Sequence, residues 1–339
     1  MTAAQVDVSV LVPVRNEARH LRRAAEAMLR QEFSGELEFI FVDGASDDGT
    51  GAILEALATA DPRVRVLDNP DRRTPQGLNI ALAAARGQYV ARMDAHTHYR
   101  PDYLARGVER LRRGDVAHVS GPQLAKGDGT WSRRVALALG SRLGSGGAAF
   151  RRAGAEEIEV DSGFTGVWER ATLRRLGGWD EGWPQNQDAE LAARIRTEGG
   201  RIVCLPEMAA EYVPRDSLRA LARQYWRYGM YRAKTSAKHP DSMRPSHLLP
   251  PAVAICLALA VAPGPLGRLA RPAAALYLAG LAAGGVLAAR EDGASPGDAL
   301  SVPAVLALMH TSWGLGFLAG SARFGPPLDA VARIARRPR

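Results

Sequence analysis

The chain has 339 residues, with 44 Lys and Arg against 36 Asp and Glu and a formal net charge of +8. That length leaves room for two or three domains of about 100–200 residues each. Its two cysteines, Cys204 and Cys256, stand far apart in apolar settings and exclude a disulfide framework or a thiolate metal site. The aromatic residues do not interleave with the basic ones as a base-stacking platform would require, so nucleic acid is not an expected partner.

The first residues, 1–7, are polar and lead directly into a strand, without the pattern of a secretory signal peptide. Residues 8–12 read as a strand stopped by Pro13, and 17–30 as a helix with Leu21, Ala25, Met28 and Leu29 on its apolar side. The run 39–42 reads as a buried parallel strand closed by Asp43, followed by a turn and a helix over 51–60. A strand over 63–67, a helix over 76–85 and a strand over 88–93 closed by Asp94 come next, then a helix over 102–112 and a strand over 117–120. Strands separated by helices predict an α/β fold, a doubly wound, mostly parallel sheet with helices on both faces. Ligands of such sheets bind beyond the carboxyl ends of the strands, where Asp43 and Asp94 are expected to meet in one crevice suited to a nucleotide and a cation.

Between 121 and 155 the pattern loosens into glycines and basic residues, a mobile loop or a pair of short helices. Order resumes at Gly163, with a helix over 170–176, a Gly177-Gly178 turn and an amphipathic segment from Asp188 to near Arg196. A strand over 201–205 and a basic helix over 218–238 follow.

Beyond Ser246 the composition changes to three apolar stretches, 248–261, 273–289 and 302–319. A membrane span needs about 20 apolar residues. The second and third reach the lower limit, whereas the first contains Pro250 and Pro251 and falls short. Two spans, with the first stretch lying in the interface, keep the arginines of 267–271 and of the tail (Arg333, Arg336, Arg337, Arg339) on one side, as the positive-inside rule requires. The alternative is three alanine-rich core helices of a soluble domain. The expected plan is a catalytic segment over 1–240, divided into a nucleotide-binding half (1–120) and an acceptor half (121–240), a membrane-associated helical region over 246–322 and a basic cytoplasmic tail over 323–339.

Five motifs carry a resemblance: Val8-Ser-Val-Leu-Val-Pro-Val-Arg-Asn-Glu17, Val42-Asp-Gly-Ala-Ser-Asp-Asp-Gly-Thr50, Asp94-Ala-His96, Gln187-Asp188 and Gln224-Tyr-Trp-Arg227-Tyr228. In this order they resemble glycosyltransferase family 2, of GT-A fold, over about residues 7–235. The Asp-Ala-His form, with apolar segments after the catalytic part, is most similar to the succinoglycan-biosynthesis branch. The resemblance implies that Pro13, Arg15, Glu17, Asp43, Ser46, Asn79 and Asp94 line a nucleotide-sugar pocket. Asp43 would accept a hydrogen bond from a uracil N–H; helix capping is its alternative, as it is for Asn16 and Asp48. The family often has a second acid where Gly44 stands. For Asn79 a solvated helix face explains the residue almost as well.

In an extended segment residues two apart face the same way, so Asp94 and His96 would converge on a divalent cation, Mn²⁺ or Mg²⁺. A structural hydrogen bond is the alternative for His96, and exposure for His98. Asp188 would be the general base, or the N-cap of its helix, while Glu190 and Arg194 form an i,i+4 pair. The family commonly has Glu where Gln187 stands. Gln224 and Arg227 share a helix face and would meet the diphosphate or the acceptor, with Arg219 and Arg223 extending a stripe that a solvated or lipid-facing surface also explains. Trp179 and Asp180 would wall the acceptor site, although aromatic rings also fill cores. His310 and Trp313, one turn apart, lie in the last apolar stretch.

The implied activity is inverting transfer from a UDP-sugar to a lipid-linked saccharide at the cytoplasmic face of the inner cell membrane, during polysaccharide assembly. Two rivals are weighed. A sugar-nucleotide nucleotidyltransferase would need a glycine-rich basic loop where Arg15-Asn-Glu17 stands, and a decayed non-catalytic scaffold would be expected to lack Asp94 or Asp188.

Overall fold

The protein is represented by a computed structural model describing residues 6–146, 154, 156–291 and 294–336. Residues 1–5, 147–153, 155, 292–293 and 337–339 lie outside the described residues, and with them most of the polar start, part of the expected 121–155 loop and the end of the basic tail. The chain packs as two units, Met1–Leu124 with Ala153–Tyr212, and Ala125–Arg152 with Val213–Arg339.

The first unit opens with β1 (Val8–Val14), α1 (Leu21–Leu29), β2 (Leu37–Asp43), α2 (Thr50–Ala60), β3 (Val64–Asp68), α3 (Thr74–Ala84) and β4 (Tyr89–Arg92). It continues with β5 (Thr97–Tyr99), α4 (Tyr103–Leu111), β6 (His118–Ser120) and β7 (Gln123–Ala125), which runs into the second unit. The second unit contributes α5 (Thr130–Gly140) and α6 (Arg142–Ser145), so part of the loosened region is a pair of helices. The first unit is completed by β8 (Ile158–Glu159), β9 (Gly166–Glu169), α7 (Arg170–Arg175), α8 (Gln187–Thr197), β10 (Ile202–Cys204) and β11 (Ala210–Tyr212).

The main sheet has the order β3-β2-β1-β4-β9-β6-β10-β8, and β5, β11 and β7 form a second, three-stranded sheet. β1 pairs in parallel with β2 and β4, so the carboxyl ends of these three strands meet at one edge. The sheet is mixed, because β9 runs antiparallel to both β4 and β6. No strand was expected there: four residues opened by a glycine are too short to show a period. Both faces of β9 are covered, and Val167 and Trp168 are buried. The core is built from alternate residues of the central strands, among them Val8, Val10, Val12, Phe39 and Phe41, with Leu54 and Tyr103 from the helices.

Pro13 does not stop β1, which continues to Val14 and keeps its register with β2. Leu11 O accepts from Met93 N–H and Val14 O from Gly44 N–H. Alternation along the strand therefore turns Pro13 toward the β4 side, where pairing has already ended at Leu11–Arg92. A proline is tolerated where no ladder bond is required of it.

In the second unit α9 (Leu218–Lys238) spans the expected basic helix, followed by α10 (Leu249–Val261), α11 (Pro265–Glu291), α12 (Pro296–Phe324) and α13 (Leu328–Arg336). Pro250 and Pro251 fall in the first turn of α10, where a missing N–H breaks no bond. Two helical segments, Pro265–Leu287 and Pro296–Phe324, are long and apolar enough to cross a membrane, and α10 is shorter. Leu266, Leu269, Leu276, Leu278 and Leu300 are exposed along them. α9 lies close against α12: a side chain at Gly229 would meet the Trp313 carbonyl, and one at Gly316 the Trp226 carbonyl.

Candidate active site

The loops leaving β1 and β2 are laced together by side chains. Ser46 Oγ donates to Asp43 Oδ1 at 2.6 Å and accepts from Asn16 N–H at 2.9 Å. Asn16 Nδ2 donates to Asp47 Oδ1, and Asp47 N–H donates back to Asn16 Oδ1. Asp48 accepts from Thr50 and from Ala18 N–H, and Thr50 Oγ1 accepts from Glu17 N–H. Asn16 therefore does not cap α1, which begins only at Leu21; its left-handed backbone (φ 53°), which Asn tolerates, turns it toward the second loop. Ala45 is left-handed too (φ 51°), strain of order 1–3 kcal/mol that this network holds in place. Arg15 is exposed and donates to the Arg72 carbonyl. A side chain at Gly44 would press on the Arg15 stem, so this loop leaves no room for a second acid without moving Arg15.

β4 ends at Arg92 and the chain turns sharply. Thr97 N–H donates to the Asp94 carbonyl at 3.1 Å, and Ala95 and His96 occupy the turn. The segment from Asp94 to His96 is thus not extended, and the expectation that residues two apart share a face does not apply to it. His96 Nδ1 instead lies 3.0 Å from Glu17 Oε1. Asp94 is buried, its N–H bonded to the Tyr99 hydroxyl at 2.8 Å. Burial and the Asp94 charge push the Tyr99 phenol well above its ordinary value, keeping it neutral.

The residue that reasoning from motifs missed is Arg92. Its side chain is 5% exposed; Nε and Nη2 donate to the two Asp94 oxygens at 2.8 and 3.1 Å, and Nη1 donates to Asp188 Oδ1 at 2.5 Å. A guanidinium in a central strand needs acidic partners, and the arginine inside the apolar run before Asp94 was the signal for one. Burial opposes its charge, yet Asp188 and Asp94 hold its pKa above the usual arginine value. Asp188 is the second residue of α8, behind Asn186 at φ 59°, and is not the N-cap. Burial raises its pKa; Arg92 opposes this and Asp94 reinforces it.

Asn79 is not on a free helix face. Its Oδ1 accepts from Trp179 N–H at 2.9 Å, while Nδ2 donates to Trp179 O at 2.8 Å and to Glu181. Gly178 (φ +71°) is required beside it, since a Cβ there would collide with Asn79 Oδ1. Trp179, expected as a wall of the acceptor site, is only 1% exposed and packs edge-on against Trp168. Its indole N–H favours the charged form of Asp188. Asp180 closes its own turn, accepting from Gly182 N–H at 2.9 Å.

The sequence profile of glycosyl transferase family 2 matches residues 9–172. Succinoglycan biosynthesis protein ExoA of Rhizobium meliloti (strain 1021) is 35% identical over 247 residues, which is 72% of this chain and 74% of ExoA. The chain belongs to glycosyltransferase family 2. Succinoglycan biosynthesis protein ExoO of the same organism is 38% identical over 120 residues, 35% of this chain and 32% of ExoO. A mannosyltransferase from Pyrobaculum calidifontis, solved in complex with GDP-Man and Mn²⁺, matches with a TM-score of 0.59 at 23% identity, covering 94% of this chain and 90% of its own. The shared architecture is the GT-A glycosyltransferase fold.

This family 2 glycosyltransferase carries its later motif, Gln224 to Tyr228, on α9 of the second unit. There Gln224 Nε2 donates to the Tyr228 hydroxyl at 3.0 Å and Arg227 is exposed.

Proposed function

We propose that the chain is an inverting glycosyltransferase that moves a sugar from a UDP-sugar to a lipid-linked saccharide during polysaccharide assembly. The observation that carries this reading is the Asp94–Arg92–Asp188 bridge, which gathers two carboxylates at the carboxyl edge of the sheet. Asp188 takes the proton of the acceptor hydroxyl as its oxygen bonds to the anomeric carbon, and the bond from that carbon to the diphosphate oxygen breaks. The nucleoside diphosphate leaves with the bonding electrons. A positioned base of this kind contributes about 10²–10⁴-fold. With one base and no enzymic nucleophile, a single displacement inverts the anomeric centre. Raising the Asp188 pKa makes the carboxylate a stronger proton acceptor.

A divalent cation, Mn²⁺ or Mg²⁺, fits the donor set. With Nδ1 as the donor to Glu17, His96 would offer its Nε2 lone pair to a metal. Asp94 keeps lone pairs beyond those Arg92 engages. Among the described residues no group of three or more His, Cys, Asp or Glu is arranged to hold an ion, so the diphosphate and water would complete the coordination. When bound, the ion offsets the charge of the leaving diphosphate. Asp43 and Ser46 would meet the uracil, with Pro13, Arg15 and Glu17 at the same edge.

The two long apolar helices, with leucines exposed along them, support attachment to the inner membrane with the catalytic part on the cytoplasmic side, where an anionic surface attracts basic helices. The test is transfer from radiolabelled UDP- and GDP-sugars into the lipid extract of membranes containing the full chain, with and without EDTA. Label entering lipid from a UDP-sugar and abolished by EDTA is expected. Incorporation from GDP-sugars alone would overturn the donor assignment, and undiminished transfer in EDTA the cation.

A further inference from the structure

We propose that Arg92 is the positioning residue of the reaction: one guanidinium sets the spacing between the base Asp188 and the leaving-group carboxylate Asp94. The proposal rests on the reading of Asp188 as general base. Its geometry is that of a fork with separate targets, Nε and Nη2 on Asp94 and Nη1 on Asp188, which lies 96 residues from Arg92 in the chain. The backbone of Arg92 is fixed from both sides, paired with Leu11 of β1 and with Gly166 of β9. Asp188, by contrast, stands in the first turn of a helix that follows a loop, and the structure ties it to the sheet through Nη1. Arg92 therefore transmits the rigidity of the sheet centre to a group that must meet an incoming hydroxyl.

Stability alone does not account for this arrangement, because a buried ion triad is often no more stable than apolar residues of the same volume. Near-attack geometry does account for it: a shift of about 1 Å at a catalytic group can cost about 10²-fold. Lysine preserves the charge of Arg92 but not the fork, and cannot hold two carboxylates in fixed register.

The experiment is a double-mutant cycle on kcat in the detergent-solubilised full chain, using Arg92→Lys, Asp188→Asn and the pair. Donor KM and thermal unfolding are measured for each. Arg92→Gln runs in parallel, and whichever Arg92 variant folds is read in the same way. Arg92→Lys is expected to lower kcat about 100-fold with a change in donor KM of about threefold or less. In the Asp188→Asn background the same change should cost about threefold or less, since the base it positions is gone. Equal losses in both backgrounds, or an unchanged kcat in Arg92→Lys, would overturn the positioning role. A wild-type kcat in Asp188→Asn alone would instead remove the base assignment, and this proposal with it.

Discussion

Glu17 and His96, 79 residues apart in the chain, face each other at 3.0 Å across the carboxyl ends of β1 and β4. The pairing matters because a histidine that gives one ring proton to a carboxylate presents its other nitrogen as a better-oriented, more basic ligand. Glu17→Gln is expected to raise the Mn²⁺ concentration for half-maximal transfer by about 10–100-fold. A Mn²⁺ titration of transfer checks this, and an unchanged midpoint would separate Glu17 from the cation.

Asp188→Asn is expected to lower kcat for transfer by about 10²–10⁴-fold, the range for loss of a general base. Donor affinity should stay within about threefold, because the amide keeps the shape of the side chain and its bond to Arg92. Equilibrium dialysis of labelled donor beside a transfer assay reads both quantities. Loss of donor binding together with transfer would count against a base.

Asn79 holds both backbone groups of Trp179. Asn79→Ala leaves a buried N–H and carbonyl without their partner, a cost of about 1–3 kcal/mol. A lower midpoint of thermal unfolding and faster proteolysis near residues 177–183 are expected. If the midpoint stays at the wild-type value, the latch is not holding the loop.

Glu38 lies buried in β2, where burial raises its pKa, but bonds from Ser9, Arg86 and Arg65 outweigh this and leave it below the ordinary value. A carboxylate depressed in the folded state contributes its stability in full above its unfolded value, near 4.5, and loses it as pH falls through the folded value. Glu38→Gln should therefore be less stable at pH 7 by about 1–3 kcal/mol. Its stability should also fall less steeply below pH 4.5, the ordinary value of the group. Chemical denaturation at pH 7 and at acid pH reads both effects, and parallel acid profiles for the two proteins would rule out the linkage.

Much of the nucleotide-binding half was legible because its signals are local. Residues 39–42 of β2 are an unbroken apolar run, and α2 shows its ends in the residues themselves, as α9 does in the second unit. α1 was extended too far toward the N-terminus because Asn16 and Glu17 look like helix-start residues while their side chains serve other loops. β9 has four residues and no pattern of its own; its place is decided by neighbours 70 or more residues before it along β4. Asn79 could not be read at all, since its partner lies 100 residues downstream. Arg92 was legible in principle: a cation inside an apolar strand requires buried acids, and Asp94 stands two residues later.

The late arrival of β9 has a consequence for biosynthesis. While the nascent chain is still short of residue 166, β4 lacks its outer neighbour and β6 has neither β9 nor β10 beside it. Bare strand edges of this kind invite pairing with other chains. A fragment cut at residue 124 would carry those edges permanently, so the amino-terminal half is a poor candidate for separate expression, however complete its motifs look.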